Sequence, residues 1–115
     1  MDETQALDAL GALSQETRLR IVRLLVTAGP DGLAAGAIGE AMDATSSRLS
    51  FHLTHLEAAG LVQSRRNGRS IRYSAVYDAL SGLIAFLMRD CCQGHPEVCT
   101  PALSACACPT PEPAA

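Results

Sequence analysis

The chain has 115 residues, with 9 basic against 12 acidic side chains and a formal net charge of −3. That length is one domain, or one domain with a tail, and no apolar run approaches the roughly 18 residues a membrane helix needs. The acidic balance, taken over the whole chain, argues against a nucleic-acid partner; the acidic start Met1-Asp2-Glu3, with no apolar segment behind it, argues against a secretory signal and makes the cytoplasm the expected compartment.

The first expected helix covers Thr4 to Leu13, with Leu7, Leu10 and Leu13 at helical spacing. Ser14 is placed to cap a second helix over Gln15 to Ala28. Its apolar stripe runs through Leu19, Val22 and Val26, broadened by Ile21, Leu24 and Leu25. Gly29-Pro30-Asp31-Gly32 ends it with four turn residues. A short helix fits Ala34 to Met42, with Ile38 and Met42 inward. Its two glycines, Gly36 and Gly39, permit close packing against the next helix. A tight turn at Asp43-Ala44 leads to Thr45 as N-cap of a fourth helix ending at Ala59. Gly60 stands where a C′ glycine belongs, and Leu49, Leu53 and Leu56 form the buried stripe.

Two strands, Val62 to Arg66 and Arg69 to Ala75, flank Asn67-Gly68, a strong hairpin signal because a type I′ turn needs positive φ at both positions. Helix, short turn, helix and then a two-stranded ribbon is a winged helix-turn-helix pattern, mostly α with a β-hairpin wing. The last helix covers Val76 to Cys91, with Leu80, Leu83, Ile84, Leu87 and Met88 apolar. Only Phe51, Phe86, Tyr73 and Tyr77 are aromatic and there is no Trp, so the core is expected to be aliphatic. The reading divides the chain into a winged-helix and dimerisation domain at 1–92, a cysteine-containing segment at 91–103 and a Pro/Ala-rich tail at 104–115. The tail has the composition of a disordered segment.

Three stretches carry a family resemblance: LGALSQETRLRIVRLL at 10–25, SSRLSFHLTHLEAAGLV at 46–62 and RRNGRSIRYS at 65–74. Together the chain resembles the ArsR/SmtB family of winged-helix metal-responsive repressors. The resemblance implies a homodimer paired through the first and last helices, and double-stranded operator DNA as partner.

With Leu49, Leu53 and Leu56 inward, Ser47, Ser50, Phe51 and Thr54 point outward from the fourth helix. Ser46, Arg48, His52 and His55 flank them. Small hydroxyl residues at a helix N-terminus let the helix enter the major groove and bond phosphate or base edges. His52 is read as a phosphate or backbone donor. Phe51 has two readings, contact with a thymine methyl or packing against a neighbouring helix. The wing supplies Arg65, Arg66, Arg69 and Arg72 for phosphate or minor-groove contact. Residues 45–72 hold five arginines against Glu57 alone, a local charge of +4, whereas the rest holds four arginines against eleven acids, −7. The global charge therefore conceals a basic face. All the basic residues are arginine, the better side chain for bidentate contact with phosphate or guanine.

The five cysteines, Cys91, Cys92, Cys99, Cys106 and Cys108, all lie in the last quarter. An odd number of thiols in a reducing compartment points to soft-metal or redox chemistry rather than a disulfide framework. The family's inducer sites in the helix before the recognition helix and in the N-terminal arm need cysteines that are absent here. Its zinc site on the last helix begins at Asp78 but meets Leu80 where a histidine is required. The run Cys91-Cys92-Gln-Gly-His-Pro-Glu-Val-Cys99 resembles the C-terminal Cys-Cys…Cys site of an arsenite-responsive subgroup. Three thiolates suit a pyramidal, thiophilic centre such as As(III) or Sb(III); His95 leaves a fourth ligand for zinc or cadmium open. The expected function is a metalloid-responsive repressor, bound to its operator as an apo dimer and released by As(III) or Sb(III) at Cys91, Cys92 and Cys99. The alternative is a redox- or persulfide-responsive repressor with the same DNA face. No phosphate loop surrounds Cys91, so an enzyme is not expected.

Overall fold

The computed structural model describes residues 1–89. The segments expected at 91–103 and 104–115, with Cys91, Cys92, Cys99, Cys106 and Cys108, lie outside the described residues. The elements are α1 (Glu3–Leu13), α2 (Glu16–Ala28), β1 (Leu33–Ala34), α3 (Ala35–Met42), α4 (Ser46–Ala58), β2 (Val62–Asn67), β3 (Ser70–Ala75) and α5 (Tyr77–Met88). Among them no helix is long and apolar enough to cross a membrane.

A reciprocal capping box starts α1: the Asp2 carboxylate accepts from the Gln5 N–H at 2.8 Å, and the Gln5 amide oxygen accepts from the Asp2 N–H at 2.8 Å. The side chains that α1 buries are Ala6, Ala9 and Ala12. Leu7 and Leu10 are exposed, Leu7 by 62%. Alanines on the inner face let α1 approach the core closely, which leaves Leu7 and Leu10 on the other side, while Leu13 at its end packs partly against the core. Ser14 closes α1 instead of opening α2; its hydroxyl donates to the Gly11 carbonyl at 2.8 Å, and Gln15 caps α2 through the Arg18 N–H. The buried face of α2 is Arg18, Ile21, Val22 and Leu25, with Leu19 and Val26 turned outward.

The core is aliphatic as composition requires. Its largest fully buried side chains are Ile21, Leu25, Ile38, Leu53, Leu56 and Leu61, each worth about 1.5–3 kcal/mol on burial. Gly39 packs where α3 meets α4. A Cβ there would sit 3.3 Å from Leu49 Cδ2 and 3.4 Å from the Ala44 carbonyl oxygen, whereas a Cβ at Gly36 would meet nothing. Asp43 closes α3 at φ 53°, a left-handed conformation that aspartate tolerates.

The sheet has three antiparallel strands in the order β1-β3-β2. The two-residue strand β1, too short for an alternation signal, pairs Leu33 with Tyr73 and Ala34 with Arg72. Gly32 precedes it at φ 68°, and a Cβ there would collide with the Tyr73 carbonyl. The wing turn is one residue later than expected: Asn67 pairs with Ser70, leaving Gly68 and Arg69 at the tip. Gly68 has φ 66° and Arg69 has no positive φ, the requirement at the first position of a type II′ turn. This register sets buried Val62 opposite buried Ala75, so the base of the ribbon closes over the core while its tip stands in solvent.

Candidate nucleic-acid interface

The Thr45 hydroxyl caps α4, accepting from the Arg48 N–H at 3.4 Å. Leu49, Leu53 and Leu56 seat the helix, and Gly60 at φ 81° ends it. The opposite face then follows from helical geometry. Ser46, Ser47, Arg48, Ser50, Phe51 and Thr54 are all exposed, as expected. The N-terminal half of α4 thus presents hydroxyls, free backbone N–H groups and one guanidinium to solvent, a surface suited to phosphate and base edges.

Phe51 is 65% exposed, so no helix among the described residues covers it. Its ring meets His52 and His55 edge-on at centroid distances of 5.5 and 6.3 Å. Glu57, the one acid of this region, accepts from Ser64 Oγ at 2.8 Å and thereby ties the end of α4 to the wing.

In the wing, Arg65, Arg66 and Arg69 are exposed. Among the described residues the ion pair is Arg20 with Glu16, on the outer face of α2, so the wing arginines face solvent without a carboxylate partner. Arg65 stands directly opposite Arg72 in the ladder, a like-charge pair that a bound anion would relieve.

Two expected contacts lie elsewhere. Arg72 donates from Nε to the Asp31 carbonyl at 3.0 Å and from Nη2 to the Gly32 carbonyl at 2.9 Å. It pins the α2–β1 turn to the wing base, because β1 and β3 bring those carbonyls alongside it. His52 is buried at 7% exposure, with Nδ1 3.2 Å from Arg18 Nη1. Its place at 300° on the α4 wheel, counted from Leu49 at 100° per residue, turns it toward α2 rather than outward. Burial first, then the charges of Arg18, Arg48 and His55, hold its pKa below the ordinary histidine value. Arg18 is the residue that sequence reasoning missed.

A helix-turn-helix presenting a polar helix N-terminus beside an arginine-bearing wing defines a winged-helix transcriptional regulator, a DNA-binding class. The comparisons with known proteins agree. The family profile described as a helix-turn-helix domain matches residues 13–65. The chain is 33% identical to the HTH-type transcriptional regulator YgaV of Escherichia coli, over 76% of this chain and 87% of that one. It is 32% identical, over 74% of this chain and 75% of the other, to a Halobacterium salinarum protein that carries the name of an arsenical resistance operon repressor, ArsR. Among solved structures, an ArsR-like transcriptional regulator from Rhodococcus sp. RHA1 aligns with a TM-score of 0.69 at 27% identity, covering 89% of this chain and 93% of that one. A winged helix-turn-helix DNA-binding domain from Mycobacterium bovis, described as homodimeric and as a possible ArsR-family regulator, aligns at 0.62 with 28% identity, covering 76% and 81%. The chain belongs to the ArsR/SmtB family of winged-helix transcriptional regulators. These relatives are regulators, not enzymes.

Proposed function

We propose that the chain is a homodimeric repressor that grips a two-fold operator with α4 and the wing and lets go when As(III) or Sb(III) binds Cys91, Cys92 and Cys99. The observation that carries the DNA half is the exposed N-terminal face of α4 beside Arg65, Arg66 and Arg69. Two such faces, related by a two-fold axis, would enter successive major grooves about 34 Å apart.

The dimer is supported by apolar side chains left uncovered in the protomer. Leu7 and Leu10 on α1 and Ile84 and Leu87 on α5 are exposed, and α1 packs against α5. The homodimeric Mycobacterium bovis domain supports the same reading. The inducer half rests on the donor set. No group of three metal-ligating side chains comes together among the described residues, and all five thiols lie beyond them. Three thiols can replace the three hydroxyls of arsenous acid, releasing three waters, and soft sulfur suits this ion. The relative named for an arsenical resistance operon points the same way.

The test is fluorescence anisotropy on a duplex selected from a random pool by the reduced protein, titrated with arsenite, antimonite, cadmium, zinc, peroxide and polysulfide. Release by arsenite or antimonite supports the proposal. Release by peroxide or polysulfide alone selects a redox or persulfide switch on the same DNA face.

Phe51 gives a finer expectation. An outward aromatic ring on this face meets the thymine 5-methyl, worth about 0.8 kcal/mol, or roughly fourfold, per buried carbon. Replacing thymine by deoxyuridine at the contacted position should weaken wild-type binding by that factor and leave Phe51→Ala unaffected. Equal sensitivity in both proteins would remove Phe51 from base contact.

A further inference from the structure

Arg18 and His52 are the two buried polar side chains among the described residues, exposed by 8% and 7%, and they touch each other. Arg18 projects from the first turn of α2. Its Nε donates to the Ala12 carbonyl of α1 at 2.8 Å, and its Nη1 lies 3.2 Å from Nδ1 of His52 on α4. The Ala12 carbonyl belongs to the last turn of α1, where carbonyls lack an intrahelical partner and the helix dipole is negative. A buried cation is therefore compensated without a carboxylate.

The chemistry fixes the protonation of His52. A guanidinium carries donors only and stays charged, so Nδ1 must accept and the single ring proton must sit on Nε2. A doubly protonated ring has no acceptor, and it would set a second cation against the first in a site closed to water. The charged groups acting on the ring are Arg18 from α2, and Arg48 and His55 from α4 itself. Through Arg18, α1 contributes the Ala12 carbonyl. The two guanidiniums oppose a second proton, so the contact is closed at neutral pH.

One guanidinium thus joins the end of α1 to the middle of α4. We propose that Arg18 and His52 form a positioning latch that holds the recognition helix at a fixed setting against the dimer helix, and that protonation of His52 opens it and weakens DNA binding in acid. The proposal rests on the reading of α4 as the DNA helix and α1 as a dimer helix. Linkage gives the sign for stability as well. A ring held neutral by the fold contributes stability that is present above the unfolded histidine value and is lost as pH falls through the lower folded value.

The test compares wild type, His52→Asn and His52→Leu on the selected duplex from about pH 7.5 to about pH 5.5, across the histidine range, with far-UV circular dichroism as a check of folding. Asn Oδ1 can replace Nδ1 as acceptor and does not titrate; Leu leaves the guanidinium without a partner. Wild type should lose affinity by a few-fold on acidification, under the roughly tenfold ceiling that one proton allows at about pH 5.5 when the ring titrates below the ordinary histidine value. His52→Asn should bind like wild type at the upper pH and stay flat, while His52→Leu should be weak throughout. Parallel acid losses in wild type and His52→Asn, or full affinity in His52→Leu at neutral pH, would overturn the latch. If wild type bound no duplex, the reading of α4 would fail by itself. The latch would then be judged by imidazole nitrogen NMR of the full chain, where an Nε2–H ring titrating below the ordinary range supports it and an Nδ1–H ring refutes it.

Discussion

Leu7→Glu combined with Ile84→Glu should turn the dimer into monomers and cut operator affinity by about a thousandfold. Both side chains are exposed in the protomer, at 62% and 58%, so charging them leaves its core intact. In a dimer each would bring a carboxylate into an apolar seam, where a desolvated, unpaired charge costs several kcal/mol. The loss of DNA affinity follows from valence. One recognition helix and one wing make half the contacts, and the second half-site no longer benefits from high effective concentration. Specific operator complexes are typically ~10³-fold or more tighter than non-specific ones, and an isolated half-site falls back toward the lower figure. Sedimentation velocity and anisotropy on the same samples measure both effects. A double variant that stays dimeric would show that the two-fold lies on another surface.

Replacing any one of Cys91, Cys92 or Cys99 by serine should abolish arsenite-driven release while leaving the affinity of the apo protein unchanged. A hydroxyl is a poor ligand for a soft ion, and two sulfurs cannot complete a three-coordinate centre. Wild type needs a coupling at or above the ordinary 5- to 150-fold to empty the operator, so the variants should stay bound at arsenite levels that clear wild type. Serine at Cys106 or Cys108 serves as the control in the tail. Intact release in all three of Cys91→Ser, Cys92→Ser and Cys99→Ser would move the inducer site elsewhere.

The parts of the fold legible in the sequence are those governed by local chemistry. Asp43, Thr45 and Gly60 set the turn and both ends of α4, and the spacing of Leu49, Leu53 and Leu56 set its inner face. The exposed serines and Phe51 follow from that face. What was not legible depends on which neighbour a face meets. In α1 both the alanines and the leucines repeat at helical spacing, and only close packing against the neighbouring helices selects the alanines. The wing turn offered two placements of Gly68, and the pairing of Val62 with Ala75 chose between them. Arg72 read as a wing cation because β1, which delivers the Asp31 and Gly32 carbonyls to it, is only two residues long.

Arg18 and His52 did carry a signal. The buried set of α2 is 18, 21, 22 and 25, and that of α4 is 49, 52, 53 and 56. Each is an i, i+3, i+4, i+7 stripe holding one polar residue. A polar side chain on an otherwise apolar stripe needs a partner, and here each is the other's.

The central claim, that α4 and the wing form the DNA-contacting face, is tested most directly by the salt dependence of binding to the selected duplex. Wild type should be compared with the triple variant Arg65→Gln, Arg66→Gln, Arg69→Gln. The logarithm of affinity should fall linearly with that of salt concentration, and the triple variant should lower the slope by about 0.9 for every phosphate it no longer meets. An unchanged slope at unchanged affinity would contradict the account.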